Sequence, residues 1–130
     1  MFNKYFILKK KRRLISQNSA KSELAHKHCV PCEGGIPALE ENEIKRLRKN
    51  INKEWQVINN KKLMRFYNLV NYKHTIDVVN KIAAIAEEEG HHPVLHVYYA
   101  RLEIELYTFS IDGLSENDFI LAAKIDNHII

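Results

Sequence analysis

Two adjacent histidines, His91 and His92, are the residues whose type and position best suit proton-transfer chemistry. Neutral imidazole accepts a proton and imidazolium donates one near neutral pH, so a histidine pair can supply both an acid and a base. Gly90 precedes the pair and is suited to ending a helix, and Pro93 biases His92 toward an extended backbone. Glu87 lies four residues before His91 and would reach an imidazole only if the chain folds back over the last helical turn. We therefore place the candidate catalytic site at this corner.

Histidines also have structural and metal-binding roles, and the sequence leaves both alternatives open. A metal site would combine the adjacent pair with His96. His74 and His128 are each typical of an isolated surface or structural histidine. A helix end, a proline and an upstream carboxylate at one rim favour proton transfer, because perturbed titratable groups cluster at such sites.

A long helix is needed to position this corner. Ile76, Val79, Ala83 and Ala86 recur at steps of three and four, which predicts a helix over about 72–89 with these residues on its buried face. Upstream, apolar residues at helical spacing predict a helix over 41–51, with acidic residues first and basic residues later, as the helix dipole favours.

Strands are predicted on both sides of the long helix. Two short apolar runs, 55–58 and 63–69, flank the turn-forming pair Asn59-Asn60 and predict a hairpin. After Pro93, apolar and charged residues alternate through about residue 107, which predicts two strands with one solvated face. Either a turn lies near Ala100 or the strand continues through it.

A last helix is predicted to follow the turn at Asp112-Gly113. Ser115 is its expected N-cap, with Asp118 in the reciprocal capping-box position. The element order is therefore α-β-β-α-β-β-α, which predicts the α+β class with an antiparallel sheet covered on one face. Leu102, Ile104 and Leu106 would form a strand with one bare edge, so we expect a symmetric dimer to bury that edge.

The charge of the chain is concentrated at its N-terminus. The net charge is +4, but residues 1–24 carry seven basic residues and one acidic residue, or +6, which leaves 13 basic and 15 acidic residues, or −2. We therefore predict that residues 1–25 are a basic extension, disordered or targeting to an organelle, and that 26–130 form the domain. The domain offers no basic face for nucleic acid, and no apolar run reaches membrane length. A cytoplasmic location is expected.

Cys29 and Cys32 lie two residues apart beside His26 and His28. A structural zinc site usually has four ligands, commonly from two such pairs, and a redox pair usually opens a helix after a strand. Pro31 and the following glycines instead predict irregular chain. A structural loop with free thiols is therefore favoured, and metal and redox roles are kept as alternatives.

An ordered set of motifs resembles the pterin-4a-carbinolamine dehydratase family. The resemblance covers about residues 28–126. Its residues are Cys29-Val30-Pro31-Cys32-Glu33-Gly34-Gly35, Trp55, His91-His92-Pro93, Thr108, Gly113-Leu114-Ser115, Asp118-Phe119 and Ala122-Ala123-Lys124-Ile125-Asp126.

The resemblance implies a four-stranded antiparallel sheet with three helices on one face, and a dimer or tetramer formed edge to edge. The implied reaction removes water from 4a-hydroxytetrahydrobiopterin, as part of recycling the pterin that aromatic amino-acid hydroxylases use. It requires proton transfers only, so no metal or organic cofactor is implied. His91 matches a general acid or base, and His92 matches a second histidine that contacts the pterin. Glu87, Pro93, Phe109 and Asp118 match the substrate-binding surroundings.

The chain departs from the family pattern at two positions. Phe109 stands where the family usually has histidine, and phenylalanine stacks on a ring but transfers no proton. Val94 stands where a polar or acidic residue is common. A slow dehydratase is therefore one expectation. The alternative is a family member that acts as a binding, dimerisation or assembly cofactor of another protein.

Overall fold

The computed structural model describes residues 19–31 and 35–129, and its strands form one antiparallel sheet. The elements, in chain order, are α1 (Ser19–His26), α2 (Glu41–Arg48), β1 (Gln56–Ile58), β2 (Lys62–Asn68), α3 (Tyr72–Glu89), β3 (Val94–Val97), β4 (Arg101–Leu106) and α4 (Glu116–His128), with a short 3-10 helix at Phe109–Ile111. The predicted α+β class and the order α-β-β-α-β-β-α from α2 onward are confirmed, and α1 is an additional helix.

The hairpin of β1 and β2 is confirmed, and its turn has a clear local cause. Asn59 and Asn60 have φ angles of 52° and 56°, a left-handed conformation that asparagine tolerates better than most residues. Two successive positive φ angles give a turn whose twist matches that of the flanking strands. The turn sets the register in which Val57 pairs with Leu63.

The strand order is β1-β2-β4-β3, so β4 lies inside the sheet. It pairs with β2 on one side and with β3 on the other. The expectation that Leu102, Ile104 and Leu106 leave a bare edge is therefore wrong. Their side chains are buried in the core, and β1 and β3 are the edge strands among the described residues.

Helix α3 has the predicted limits, and both ends have local causes. Asn71 accepts a hydrogen bond from the backbone N–H of His74 at 2.8 Å, and Gly90 ends the helix at a φ of 62°.

The buried face of α3 is shifted by about one residue from the predicted one. It consists of Thr75, Val78, Ile82, Ala86 and Glu89, whereas Ala83 is exposed. Thr75 is acceptable inside because its hydroxyl donates to backbone carbonyls at Asn71 and Tyr99, each 3.0 Å away.

Helix α4 is covered on nearly all sides. Phe119, Leu121, Ala122 and Ile125 are buried as predicted, but Ile120 and Ala123 are buried as well. One reason is that α1 packs against α4.

Helix α1 runs across the predicted domain boundary between residues 25 and 26. Leu24 and Ala25, which were predicted to belong to the extension, are part of the hydrophobic core. The rest of the predicted basic extension, residues 1–18, and Cys32 lie outside the described residues. Within the described ranges, no helix has the length and apolar character needed to cross a membrane.

Candidate active site

The histidine corner is built by the C-terminal end of α3. The backbone N–H of Gly90 donates to the carbonyls of Ala86 and Glu87, and that of His91 donates to Ala86 O at 3.2 Å. These bonds close the last helical turn and fix the direction in which the chain leaves it. His91 and His92 therefore start from a defined backbone, as the sequence predicts.

His91 contacts a carboxylate that comes from a different helix. Its Nε2 lies 2.6 Å from Oδ1 of Asp118, in the first turn of α4. The Asp118 side chain has no exposed surface, and that of His91 is 13 % exposed. A carboxylate oxygen accepts hydrogen bonds, so Nε2 carries the hydrogen and Nδ1 is the acceptor of the neutral ring. Nδ1 makes no hydrogen bond with any described residue.

The second oxygen of Asp118 is held by the start of α4. Oδ2 accepts from the backbone N–H of Ser115 at 2.9 Å and from the Thr108 hydroxyl at 2.8 Å. The Ser115 and Thr108 hydroxyl oxygens are 2.6 Å apart, and since Thr108 donates to Asp118, Ser115 donates to Thr108. The predicted capping box of Ser115 and Asp118 is confirmed. It also fixes the carboxylate that orients His91.

Glu87 pairs with His92 and not with His91. Its Oε1 lies 2.6 Å from His92 Nε2, and both side chains are more than half exposed. The chain does fold back over the last helical turn, but it brings the second histidine to the carboxylate. The two histidines thus have different surroundings, one held by a buried acid and one by an exposed acid.

A cavity of about 260 Å³ opens beside the two histidines. This is close to the lower end of the roughly 300–1,000 Å³ typical of small-molecule sites. The lining residues are Val30, Gly90, His91, His92, Tyr107, Thr108, Phe109, Ser110 and Asn117.

Three of the predicted substrate-binding residues are not part of this lining. Glu87 lies at the rim beside His92, and Pro93 lies next to it in the chain. Asp118 is wholly buried, so it can reach a substrate only through His91.

Five lining residues, Val30, Tyr107, Thr108, Ser110 and Asn117, were given no role by the sequence. Thr108 and Ser110 flank the predicted site residue Phe109, so their position in the chain could have identified them. Asn117 directly precedes the predicted site residue Asp118, which is a signal of the same kind, whereas Val30 lies far from the predicted site residues in the chain.

Phe109 lies on the 3-10 helix at the cavity and is 84 % exposed. Its ring centroid is 6.3 Å from that of Tyr107. A large apolar ring with this much exposed surface at a cavity is suited to covering a flat ligand. It provides no proton-transfer group.

The remaining histidines have partners of their own. His96 Nε2 lies 2.7 Å from Glu105 Oε2, His128 Nδ1 donates to Lys124 O at 2.8 Å, and His74 Nδ1 accepts from the Val70 N–H at 3.3 Å. Within residues 19–31 and 35–129, no three His, Cys, Asp or Glu side chains are grouped to hold a metal ion.

Cys29 is a free thiol, as predicted. Burial and the nearby carboxylates of Glu89 and Asp118 raise its pKa to about 12. The thiol is therefore protonated at neutral pH and is a poor nucleophile and metal ligand in this state.

Comparison with known proteins identifies the family. Residues 37–128 match the family model for pterin 4 alpha carbinolamine dehydratase. A relative from Rickettsia canadensis, provisionally named as a pterin-4-alpha-carbinolamine dehydratase, is 48 % identical over 106 residues, which are 82 % of this chain and 97 % of the relative. A relative of the same provisional name from Rubrobacter xylanophilus is 43 % identical over 105 residues, covering 81 % of this chain and 97 % of its own.

The fold has a solved counterpart. A crystal structure of a transcriptional coactivator/pterin dehydratase from Brucella melitensis superposes with a TM-score of 0.64 at 24 % identity, covering 69 % of this chain and 96 % of that one. This likeness concerns the fold. The family-model match and the curated relatives show that the chain belongs to the pterin-4-alpha-carbinolamine dehydratase family, as the sequence motifs predict.

Proposed function

We propose that this protein dehydrates 4a-hydroxytetrahydropterins to quinonoid dihydropterins, with His91 as the principal proton-transfer group. The observation that carries the proposal is the 2.6 Å contact between His91 Nε2 and the wholly buried Asp118 at the edge of a cavity. This contact fixes the ring and its tautomer, so Nδ1 is the atom that accepts a proton.

The reaction can be written with proton transfers alone. His91 Nδ1 takes the proton from ring nitrogen 5, and the electron pair of that N–H bond forms the new double bond between nitrogen 5 and carbon 4a. The bond from carbon 4a to the hydroxyl breaks, and the oxygen leaves as water after receiving a proton. His92, held by Glu87, is the second imidazole at the cavity and supplies this proton in the proposal.

The substrate ring is held by apolar and polar groups of the same cavity. Phe109 offers an exposed aromatic face for stacking, and Tyr107 supplies a hydroxyl group. Under this proposal the quinonoid dihydropterin product must then be reduced by a separate enzyme to give the tetrahydropterin that aromatic amino-acid hydroxylases use.

The test is stopped-flow measurement of the loss of 4a-hydroxypterin absorbance. We expect the wild type to exceed the buffer rate, and His91→Ala to lower kcat by about 10²- to 10⁴-fold, the usual worth of a general acid or base. His74→Ala is the matched control, because His74 lies at the exposed start of α3. A wild-type rate equal to that of buffer, or a His91→Ala rate equal to that of wild type, would refute the proposal.

A second candidate function is that of a binding, dimerisation or assembly cofactor with weakened catalysis. Phe109 favours it, because this side chain stands at the cavity in place of a proton-transfer group. If the wild-type protein gives the same dehydration rate as buffer but binds a pterin, this candidate is supported over the first.

We also propose a homodimer, which the edge strand β3 would form. Val94 and Val97 on this strand are 37 % and 41 % exposed, and β3 pairs with β4 alone among the described residues. An unpaired apolar edge is commonly covered by a second copy. Sedimentation at micromolar concentration should give at least twice the 15.3 kDa of one chain.

A further inference from the structure

Cys29 and Val30, in the segment that follows α1, are held at the cavity by side chains and not by secondary structure. The backbone N–H of Cys29 donates to Glu89 Oε2 at 2.8 Å, and that of Val30 donates to Asn117 Oδ1 at 3.0 Å. Asn117 Nδ2 donates in return to Val30 O at 2.6 Å. Loop backbone with three polar groups satisfied in this way has a defined position.

The two side chains that anchor this segment, those of Glu89 and Asn117, lie close in the chain to His91 and Asp118. Glu89 comes two residues before His91, and Asn117 comes directly before Asp118. The loop is therefore fixed to the same two chain segments that bring His91 and Asp118 together.

Glu89 is itself held firmly. Its side chain is almost fully buried, and it lies 3.0 Å from Lys124 Nζ and 3.1 Å from His28 Nδ1. Burial alone would raise the pKa of the Glu89 carboxyl, but hydrogen bonds from Cys29 N–H, Lys124 and His28 outweigh it and hold the pKa below its ordinary value. Glu89 is thus a charged acceptor at neutral pH, which strengthens its bond to the loop.

Asn117 lines the cavity but has its amide oxygen and nitrogen bound to Val30. It acts on the cavity through the position of Val30. The Cys29 thiol adds to the same contact, since Sγ lies 3.6 Å from Asn117 O.

Val30 places an uncovered apolar side chain at the cavity. It is 64 % exposed, and Val30 and Phe109 are the two hydrocarbon side chains in the lining. A side chain with that exposure contributes little to the folded core, whereas a flat heterocycle in the cavity would bury it. Because the segment is already held in place, little conformational entropy is lost when a ligand binds, and this favours binding.

We propose that Val30 is a substrate-contacting residue that covers part of the bound pterin ring, and that Asn117 is the positioning residue that holds Val30 there. The proposal rests on the proposed function, because it names the pterin as the ligand. It gives a role to the Cys29-Val30 segment, which lies outside the 37–128 match to the family model.

The test combines ligand binding, kinetics and hydrogen exchange on the full-length chain. Biopterin is the binding probe, followed by its own fluorescence. Val30→Ala removes two methyl groups and should raise both Kd for biopterin and KM by about 5- to 10-fold, with kcat unchanged because no proton-transfer group is lost. Val30→Ile keeps a branched apolar side chain and should bind biopterin as well as the wild type does. Val70→Ala is the matched control, since Val70 is also exposed but does not line the cavity.

Asn117→Leu tests the positioning role. It keeps the approximate size of the side chain but removes both bonds to Val30, so amide exchange at Cys29 and Val30 should speed up by at least about tenfold. KM should rise with little change in kcat. Unchanged exchange, or a fall in kcat at constant KM, would overturn this role.

The outcomes separate this inference from the proposed function. If wild type binds biopterin and Val30→Ala binds it equally well, the role of Val30 is overturned and the proposed function stands. If wild type does not bind biopterin but dehydrates the 4a-hydroxypterin, and Val30→Ala leaves KM unchanged, the role of Val30 is overturned and the proposed function stands. A wild-type dehydration rate equal to that of buffer overturns both.

Discussion

Asp118→Asn should inactivate the protein while leaving its fold intact. Asp118 accepts three hydrogen bonds, at 2.6 Å from His91, 2.8 Å from Thr108 and 2.9 Å from Ser115. An asparagine can keep its oxygen toward Thr108 and Ser115, which both donate, but its NH₂ group then faces His91 Nε2. That nitrogen must become an acceptor, so the proton moves to Nδ1 and blocks the proposed base.

The magnitude follows from these bonds. Loss of a general base lowers kcat by about 10²- to 10⁴-fold. Two acceptor bonds survive and the third is replaced by a bond from the amide to Nε2, so the free energy of unfolding should fall by at most about 1.5–3 kcal/mol, the worth of one hydrogen bond to a charged group. The opposite amide orientation would set NH₂ against two donors and is disfavoured for that reason.

The assay is stopped-flow dehydration beside urea unfolding. Asp112→Asn is the matched control, because Asp112 is a highly exposed carboxylate near the same site, and asparagine tolerates its left-handed φ of 47°. We expect this control to change neither quantity. An Asp118→Asn protein that is folded and keeps more than half of the wild-type kcat would refute the assigned tautomer and with it the role of Asp118.

Three further outcomes are expected. Phe109→His should raise kcat by at least about tenfold, because it adds a proton-transfer group at the cavity. The gain should be smaller than that from a fully positioned acid, because a side chain at this exposed position is held loosely. Deletion of residues 1–18 should leave the melting temperature unchanged, whereas deletion of residues 1–25 removes Leu24 from the core and should cost at least about 2 kcal/mol. Glu89→Gln should lower stability at neutral pH and flatten its acid dependence. The depressed pKa of Glu89 gives stability that is present above the ordinary carboxyl pKa and is lost as pH falls through the lower pKa of the folded state.

Each of these has a control. Phe66→His places the same ring on a surface away from the cavity, and an equal effect there would contradict the role of position 109. A large drop in melting temperature on deleting residues 1–18 would show that the basic segment packs on the domain. Glu88→Gln changes an exposed neighbouring carboxylate, so a pH profile that shifts equally in both variants would contradict the assignment to Glu89.

Local signals account for the parts of the fold that were predicted well. The Asn59-Asn60 turn, the stop at Gly90 and the capping box at Ser115 each depend on residues within a few positions of one another. The same is true of the alternation that marks β4. Such features are set by backbone preferences and short hydrogen bonds, which the sequence displays directly.

Long-range packing accounts for the parts that were predicted wrongly. Strand β4 follows β3 in the chain but inserts between β3 and β2, so its edge is never bare. No local sequence pattern indicates this order of strands in the sheet. Likewise, α4 has an apolar stripe that predicts one buried face, and it is buried more widely because α1 covers it.

The buried face of α3 could not be chosen by apolar periodicity alone. Ala83 fits the predicted stripe but is exposed, whereas Thr75 is buried because the carbonyl of Tyr99, on the β3–β4 turn, accepts from its hydroxyl. A polar residue becomes a core residue only when such a partner exists. The partner is 24 positions away in the chain.

The candidate site combines both kinds of information in one residue. The capping pattern located Asp118 at the start of α4, and that role uses Oδ2. The packing of α4 against the end of α3 then brings Oδ1 to His91, 27 positions away. A carboxylate is favoured in the first turn of a helix. Asp118 therefore serves as the cap of α4 through Oδ2 and as the partner of His91 through Oδ1.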